Sequence, residues 1–246
     1  MLYYVRRITV LFRKRIKAMN EIIRKRKSVR KYEKTQLDEA ILTGVREQIK
    51  RLTPLYPDIR YSIDIAEKTK GLINDVTAPH YLVFYSEEKA GAYENIGFVG
   101  QQMDLFLSEN GIGSCWLGFA RPNEKSEKTY VISMAFGKPA EPLHRSLTEF
   151  KRKPLSQISE GVDMRLEAAR LAPSGMNAQG WFFEALDGKI RCYCKKPRVV
   201  PEKFGRIDLG IALWHIASES DNFSFVTEPE TPERKGYIFA GTVSAG

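Results

Sequence analysis

The sequence predicts an α+β protein built as two pseudo-symmetric halves. Three observations lead there. Apolar residues recur at helical spacing in some stretches and form strand-length runs in others. The order of those stretches appears twice, over residues 20–139 and again over 140–246. The chain of 246 residues, 43% hydrophobic and 28% charged, can bury a substantial core, and no apolar run reaches membrane-spanning length.

In the first half, residues 20–26 read as a short helix. Thr35-Gln36-Leu37-Asp38 resembles a capping box with Thr35 as N-cap. Leu37, Ile41, Val45, Ile49 and Leu52 then mark one helix face, which Pro54 and Pro57 end. Residues 60–65 alternate like a half-buried strand, and the apolar run 81–85 suits a central one. A second helical face, Ile96, Val99, Met103, Phe106 and Leu107, stops at Gly111-Ile112-Gly113-Ser114. Residues 130–136 form another strand, closed by Gly137-Lys138-Pro139.

The pattern then restarts. His144-Arg145-Ser146-Leu147-Thr148-Glu149-Phe150 lies over residues 26–32, with Ser146 on Ser28 and Phe150 on Tyr32. Leu155 opens a helical segment with Val162, Leu166 and Ala169 on its inner face. It ends in Arg170-Leu171-Ala172-Pro173, as the first copy ends in Arg51-Leu52-Thr53-Pro54. Ser28 to Pro54 spans 26 residues and Ser146 to Pro173 spans 27. Strands follow at 181–185 and 190–194, then a helix carrying Ile207, Ile211, Trp214 and Ile216, with Gly210 over Gly97. Strands at 223–226 and 237–240 close the second half. Such a duplicate behaves like a homodimer fused into one chain, and its shared interface is a natural ligand site.

Charge narrows the function. The net charge is +9, but six of the 39 basic residues and no acid fall in residues 1–18. The other 33 face 30 acids, so the body is only weakly basic and gives no nucleic-acid footprint. Residues 1–18 do not read as a secretory signal, because the apolar stretch 8–12 is short and flanked by arginine on both sides. They read as a basic extension ahead of Met19. Cys115, Cys192 and Cys194 give an odd count without regular spacing, which predicts reduced packing residues, no metal site and a cytoplasmic compartment.

Three stretches carry chemistry. Arg26-Lys27-Ser28-Val29-Arg30 gathers flat guanidinium forks, an ammonium and a hydroxyl, a donor set that fits a phosphate. It also fits a solvated basic run, and composition leaves both readings open. Ala172-Pro173-Ser174-Gly175-Met176-Asn177-Ala178-Gln179-Gly180-Trp181 reads either as a loop for a planar polar ligand or as an ordinary helix-to-strand turn. Gly111-Ile112-Gly113-Ser114-Cys115-Trp116-Leu117-Gly118 frees backbone N–H groups, but it follows a helix and is not a dinucleotide fingerprint.

Together the three resemble the nitroreductase family of FMN-dependent NAD(P)H oxidoreductases. Residues 26–30 look like its phosphate-binding Arg-x-Ser-x-Arg. Residues 172–181 look like its Ala-Pro-Ser-Ser-x-Asn-x-Gln-Pro-Trp, with Gly175 for the second Ser and Gly180 for Pro. Residues 111–118 are similar to its Gly-x-Gly-Ser segment, and Arg152-Lys153-Pro154-Leu155 to its late basic-Pro-Leu element. The resemblance spans about residues 19–240 and implies mixed or antiparallel central sheets flanked by helices.

The clamp and the Ser/Asn loop fall in different repeats here. The first copy has Thr53-Pro54-Leu55-Tyr56 at the loop position, and the second has His144 and Thr148 at the arginine positions. That resembles the branch of the family duplicated within one chain. It implies one competent site per chain, an eroded second site, and a monomeric pseudo-dimer or a higher homo-oligomer.

The resemblance further implies FMN held by Arg26, Lys27, Ser28, Arg30 and Arg152 at its phosphate and ribityl end. Ser114, Cys115, Trp116, Leu117 and Gly118 would run past the ring, and Pro173, Ser174, Gly175 and Asn177 would cover it. No side chain is assigned a catalytic role, since the cofactor carries the chemistry. The expected partners are NAD(P)H and a small acceptor such as a nitroaromatic or quinone, with no nucleic acid and no membrane. Two other readings stand beside this one: a flavin carrier without turnover, and a nucleic-acid-binding protein whose charge lies in residues 1–18.

Overall fold

A computed structural model of the chain describes residues 21–71, 76–123, 127–197, 199, 201–227 and 232–245. The expected extension at 1–18 and the Met19 start lie outside them. The first half holds α1 (Glu39–Ile49), β1 (Tyr61–Ala66), β2 (Thr69–Lys70), β3 (His80–Ser86), α2 (Ala92–Glu109), β4 (Gly113–Leu117), β5 (Arg121–Pro122) and β6 (Tyr130–Gly137). The second holds α3 (Leu155–Ile158), β7 (Ser159–Glu160), α4 (Arg165–Leu171), β8 (Trp181–Leu186), β9 (Lys189–Lys195), α5 (Glu202–Ser218), β10 (Phe223–Val226) and β11 (Tyr237–Ala245).

Each half has its own sheet. The first runs β1-β3-β6-β4, all antiparallel. The second runs β10-β11-β9-β8-β7, antiparallel except where β7 joins β8. Without β7, β8-β9-β11-β10 repeats the order β1-β3-β6-β4, with a helix at the same point of each. The fold is therefore α+β with largely antiparallel sheets. β3 is buried along all seven residues, as its continuous apolar run requires of a central strand.

The two long helices, α2 and α5, pack against each other between the sheets. Glycine sets their spacing. A methyl on Gly97 would stand 2.1 Å from the Ile207 carbonyl oxygen, and one on Gly210 would stand 2.0 Å from that of Glu94. Each glycine meets the residue three before its counterpart, the reciprocity of a two-fold relation. The second such contact is at Arg26 and His144, which form an antiparallel bridge with each other.

Three local expectations are corrected. α1 starts at Glu39 with Asp38 as N-cap and no side-chain cap bond, because the Leu37 N–H is still tied to His80 Nε2 on β3 at 3.0 Å. Its inner face is therefore Leu42 and Val45, and Ile41 is exposed. The segment expected as one helix from Leu155 is split by β7. Gly161 turns with φ 77°, and a methyl there would lie 2.1 Å from the Ala185 carbonyl, so Val162 points to solvent at 96% exposure. β11 runs beyond residue 240 through a bulge at Phe239/Gly241. No described helix is long and apolar enough to cross a membrane.

Candidate cofactor-binding site

The basic stretch is extended chain laid along the edge of β4. Val29 N–H donates to the Ser114 carbonyl at 2.9 Å, and the Val29 side chain sits where a methyl on Gly113 would meet it at 2.7 Å. On its other side, residues 25–33 pair with 138–145: Glu33 N–H reaches the Lys138 carbonyl, Ala140 N–H the Lys31 carbonyl and Arg145 N–H the Lys25 carbonyl. The stretch expected to open the second half is thus laid against the clamp.

Those strands frame a cavity of about 390 Å³ lined by Lys27, Ser28, Arg30, Lys31, Glu141, Arg145 and Glu149. Four cations meet two acids there. Glu141 Oε1 accepts the Arg30 N–H at 2.8 Å, and its Oε2 lies 4.0 Å from Lys27 Nζ. Glu149 closes a capping box with Ser146.

Arg26 departs from the expected clamp. It is 1% exposed, with Nη2 3.1 Å from Asp104 Oδ1 and Nε 3.0 Å from Oδ2. Asp104, on α2, also accepts from Ser114 Oγ at 2.6 Å and from Gln101 Nε2 at 2.9 Å. Gln101 in turn meets His215 Nε2 at 3.1 Å, whose Nδ1 faces the Ala168 carbonyl at 2.8 Å. Burial pulls His215 down to about 3, so it is neutral, in line with the structural role its place on α5 suggested. Arg26 thus anchors the clamp from below and does not line the cavity. A buried guanidinium needs such a partner, and Asp104 supplies it.

Arg152 joins the second motif set to the first. It donates to Asn177 Oδ1 through Nη1 and to the Leu171 carbonyl through Nη2 at 3.3 Å. Asn177 Nδ2 donates to the Lys151 carbonyl at 2.6 Å. Burial, with Arg26, Arg145 and Arg170 nearby, lowers Arg152 to about 10. Burial and Arg26 likewise lower Arg145, against Glu149. Phe150 separates the two guanidiniums, 4.6 Å from Arg145 and 5.5 Å from Arg152. Arg26 Nη1 and Arg152 Nε are buried without hydrogen-bond partners. Crowded guanidiniums with depressed pKa values and unused donors mark a place short of negative charge.

The loop after Pro173 is strained. Met176, Asn177 and Gln179 hold φ of 50°, 56° and 44°, a region non-glycine residues rarely adopt. Ser174 Oγ accepts the Gln179 N–H at 2.9 Å, and Gly175 N–H donates to Asp208 on α5. Ser174 is half-buried, whereas Gly175 and Asn177 are exposed.

β4 behaves less like an open turn than expected, because Gly113–Leu117 pair with β6. Trp116 stacks on Phe84 at 5.6 Å, lies over Gly100 and donates to Gln101 Oε1, so it is half-buried and packs against the core. Cys115 and Leu117 are buried on the opposite face. Burial raises the Cys115 thiol, against Arg30, Arg26 and a Ser28 hydrogen bond. Gly118 leaves the strand end open, where a methyl would stand 3.0 Å from the Phe204 ring.

Residues 18–220 match the family model described as "Putative TM nitroreductase". The chain belongs to this nitroreductase family. Its structure is similar to that of a "putative nitroreductase" from Thermotoga maritima, at 20% identity, covering 92% of this chain and 91% of that one, with a TM-score of 0.64. A nitroreductase family protein from Clostridium difficile 630 aligns over 56% of this chain and 94% of its own, at 17% identity and a TM-score of 0.45. An FMN-dependent nitroreductase from Clostridium difficile R20291 aligns over 53% and 93%, at 16% and 0.42. The first of these likenesses supports the shared fold. No curated protein sequence matches.

As a nitroreductase family member the chain is an oxidoreductase. Four residues of the candidate site were not singled out by sequence. Arg145 was visible beside His144, but its role depends on the antiparallel pairing that brings it over residue 26. Glu141, Asp104 and Asp208 carry no local signal, since their partners lie 111, 78 and 33 residues away.

Proposed function

We propose that this nitroreductase binds FMN and passes hydride from NAD(P)H to an oxidised acceptor, such as a nitroaromatic or a quinone, in a ping-pong cycle. The observation that supports it is the meeting of the two motif sets: Arg152 is bonded to Asn177 and sits beside Arg26 and Arg145. The donor set fits the cofactor's phosphate. Lys27, Arg30, Lys31 and Arg145 outnumber the two acids of the cavity, and the unused donor on Arg152 lies in the same cationic cluster.

When bound, FMN would supply the two-electron relay between donor and acceptor. The chain's part is to bind and orient. Ser28, Arg30 and Arg145 would hold the phosphate end, with Arg26 fixing the backbone beneath them. Pro173, Ser174, Gly175 and Asn177 would cover the ring, held by Arg152. The Leu117 and Gly118 backbone, beside Phe204, would border the reacting edge. A cation near that site favours accumulating negative charge, an effect worth a few kcal/mol when water is excluded.

The proposal takes residues 19–139 and 140–246 as fused copies with one working site, in a cytoplasmic compartment that keeps the three buried cysteines reduced. Purified protein titrated with FMN should gain a perturbed yellow absorbance and then oxidise NADH or NADPH when a quinone is added. Absence of FMN binding sinks the proposal; binding without turnover favours the carrier reading.

A further inference from the structure

The two struts that fix the loops after Pro54 and Pro173 differ in one atom. In the first half, Asn95 Oδ1 on α2 accepts the backbone N–H groups of Leu55 and Tyr56 at 2.8 and 3.0 Å. In the second, Asp208 on α5 accepts the N–H of Gly175 on both oxygens, at 3.0 and 3.1 Å. Gly97 and Gly210 are 113 residues apart, and so are Asn95 and Asp208, so the two acceptors are counterparts on counterpart helices. Pro54 and Pro173 likewise precede the segments they hold. The fold thus places a helix acceptor under each loop, an amide in one half and a carboxyl in the other.

We propose that Asp208 is the positioning residue of the cofactor-covering loop, and that its ionisable carboxyl makes the loop's geometry depend on pH. This rests on the flavin reading above. Three neighbouring residues of that loop sit at positive φ, so its shape must be imposed from outside. Asp208 is the α5 group that does so, acting through Gly175. An ionised carboxyl accepts an N–H strongly, while a protonated one gives up part of that capacity to its own hydroxyl.

The setting allows the switch. Asp208 is buried, and burial pushes its carboxyl up to about 7, against the Gly175 N–H. Other ionisable groups gather with it around the Cys194 thiol. Arg206 is bound to both Glu94 and Glu202, and Cys194 itself is pushed up to about 12, chiefly by burial. None of these contacts supplies Asp208 with a cation. The half whose loop lacks the Ser/Asn set has the non-titrating amide.

The test pairs two readouts on the full chain. The Gly175 amide proton in the ligand-free protein should titrate between pH 5.5 and 8.5 in the wild type and stay fixed in Asp208→Asn. On acidification across that range FMN affinity should fall at least fivefold more in the wild type than in Asp208→Asn, where the ligand's own phosphate, with a second pKa of about 6, still titrates. Asp208→Ala should bind FMN at least tenfold more weakly than either at pH 8. If Asp208→Ala does not fold, Asp208→Asn still decides, because Asn at position 95 shows that an amide serves there. A Gly175 amide that does not titrate in the wild type, or an Asp208→Asn affinity that follows pH as the wild type does, overturns the proposal. Failure of the wild type to bind FMN at all would count against the flavin reading, and the Gly175 titration would then decide the strut alone.

Discussion

The two halves agree in their packing and disagree in their polar chemistry. Both present the same strand order, the same central helix and the same glycine at the crossing. They differ where α2 and α5 look toward the clamp. Asp104 on α2 has Ala217 as its counterpart on α5, and Arg26 has His144. The charged pair of one half is replaced by histidine and alanine in the other, and His144 instead reaches across to Ser108 on α2 at 3.2 Å. Close packing of two helices tolerates few side chains at the crossing, so both halves meet the same requirement there. A buried ion pair is dispensable for folding when both partners are absent together. It occurs beneath the clamp stretch, which lines the basic cavity together with residues 141–149 of the other half.

The crossing should be the most sensitive point, and equally so from both sides. Gly97→Ala and Gly210→Ala each push a methyl to about 2 Å from a facing carbonyl, so the helices must separate. Each should cost more than roughly 3 kcal/mol by denaturant unfolding. If one cost much and the other little, the two-fold relation of the helices would not hold energetically.

The Arg26–Asp104 pair should come next, and only in one half. Asp104→Ala strands a guanidinium that is 1% exposed and should cost about 3–5 kcal/mol. Ser108→Ala, which removes the contact His144 makes across to α2 in place of an ion pair, should cost about 1 kcal/mol. Comparable losses from the two would erase the asymmetry.

The struts give a smaller effect that depends on pH. The Asp208 carboxyl, ordinarily near 3.8, is raised by burial to about 7. Between those values the folded chain keeps a proton that the unfolded chain has released. Stability contributed here is therefore lost as pH rises from about 4 to 7. Asp208→Asn should stabilise the protein by roughly 1–3 kcal/mol at pH 8 and by nothing at pH 4, the amide's unpaired N–H₂ offsetting part of the gain. The mirror exchange, Asn95→Asp, should destabilise it more at pH 8 than at pH 4. Thermal midpoints at the two pH values separate these outcomes.

Much of this was legible in the sequence, and for identifiable reasons. β3 and α2 could be read because a buried strand and a buried helix need long apolar runs of characteristic period. The matching strand order of the two sheets was legible because Gly97, Gly210, Pro54 and Pro173 mark backbone requirements that few residues satisfy. Arg30 and Asn177 announced themselves through local pattern. Arg26 was legible as a basic residue but not as a buried one. Its partner Asp104 lies on another element, and on α2 that acid looks like any exposed residue. α1 was misplaced at its start because a Thr-x-x-Asp pattern carries no information about the His80 bond that holds Leu37 extended.

Glu141 gives the finest comparison, since it sets an internal anion against an external one. Its carboxylate accepts the Arg30 N–H and faces Lys27, inside the cavity proposed to take a phosphate. It lies on the segment that pairs with the clamp, so it is carried there by the fold and competes for the same donors. Glu141→Gln keeps an oxygen for the Arg30 N–H and removes the charge. FMN should then bind about tenfold more tightly, roughly 1.4 kcal/mol, with the gain shrinking as salt is raised. Riboflavin, which has the ring without the phosphate, should be unaffected. Equal tightening of both ligands would place the effect of Glu141 at the ring and remove the basic cavity from the phosphate's path.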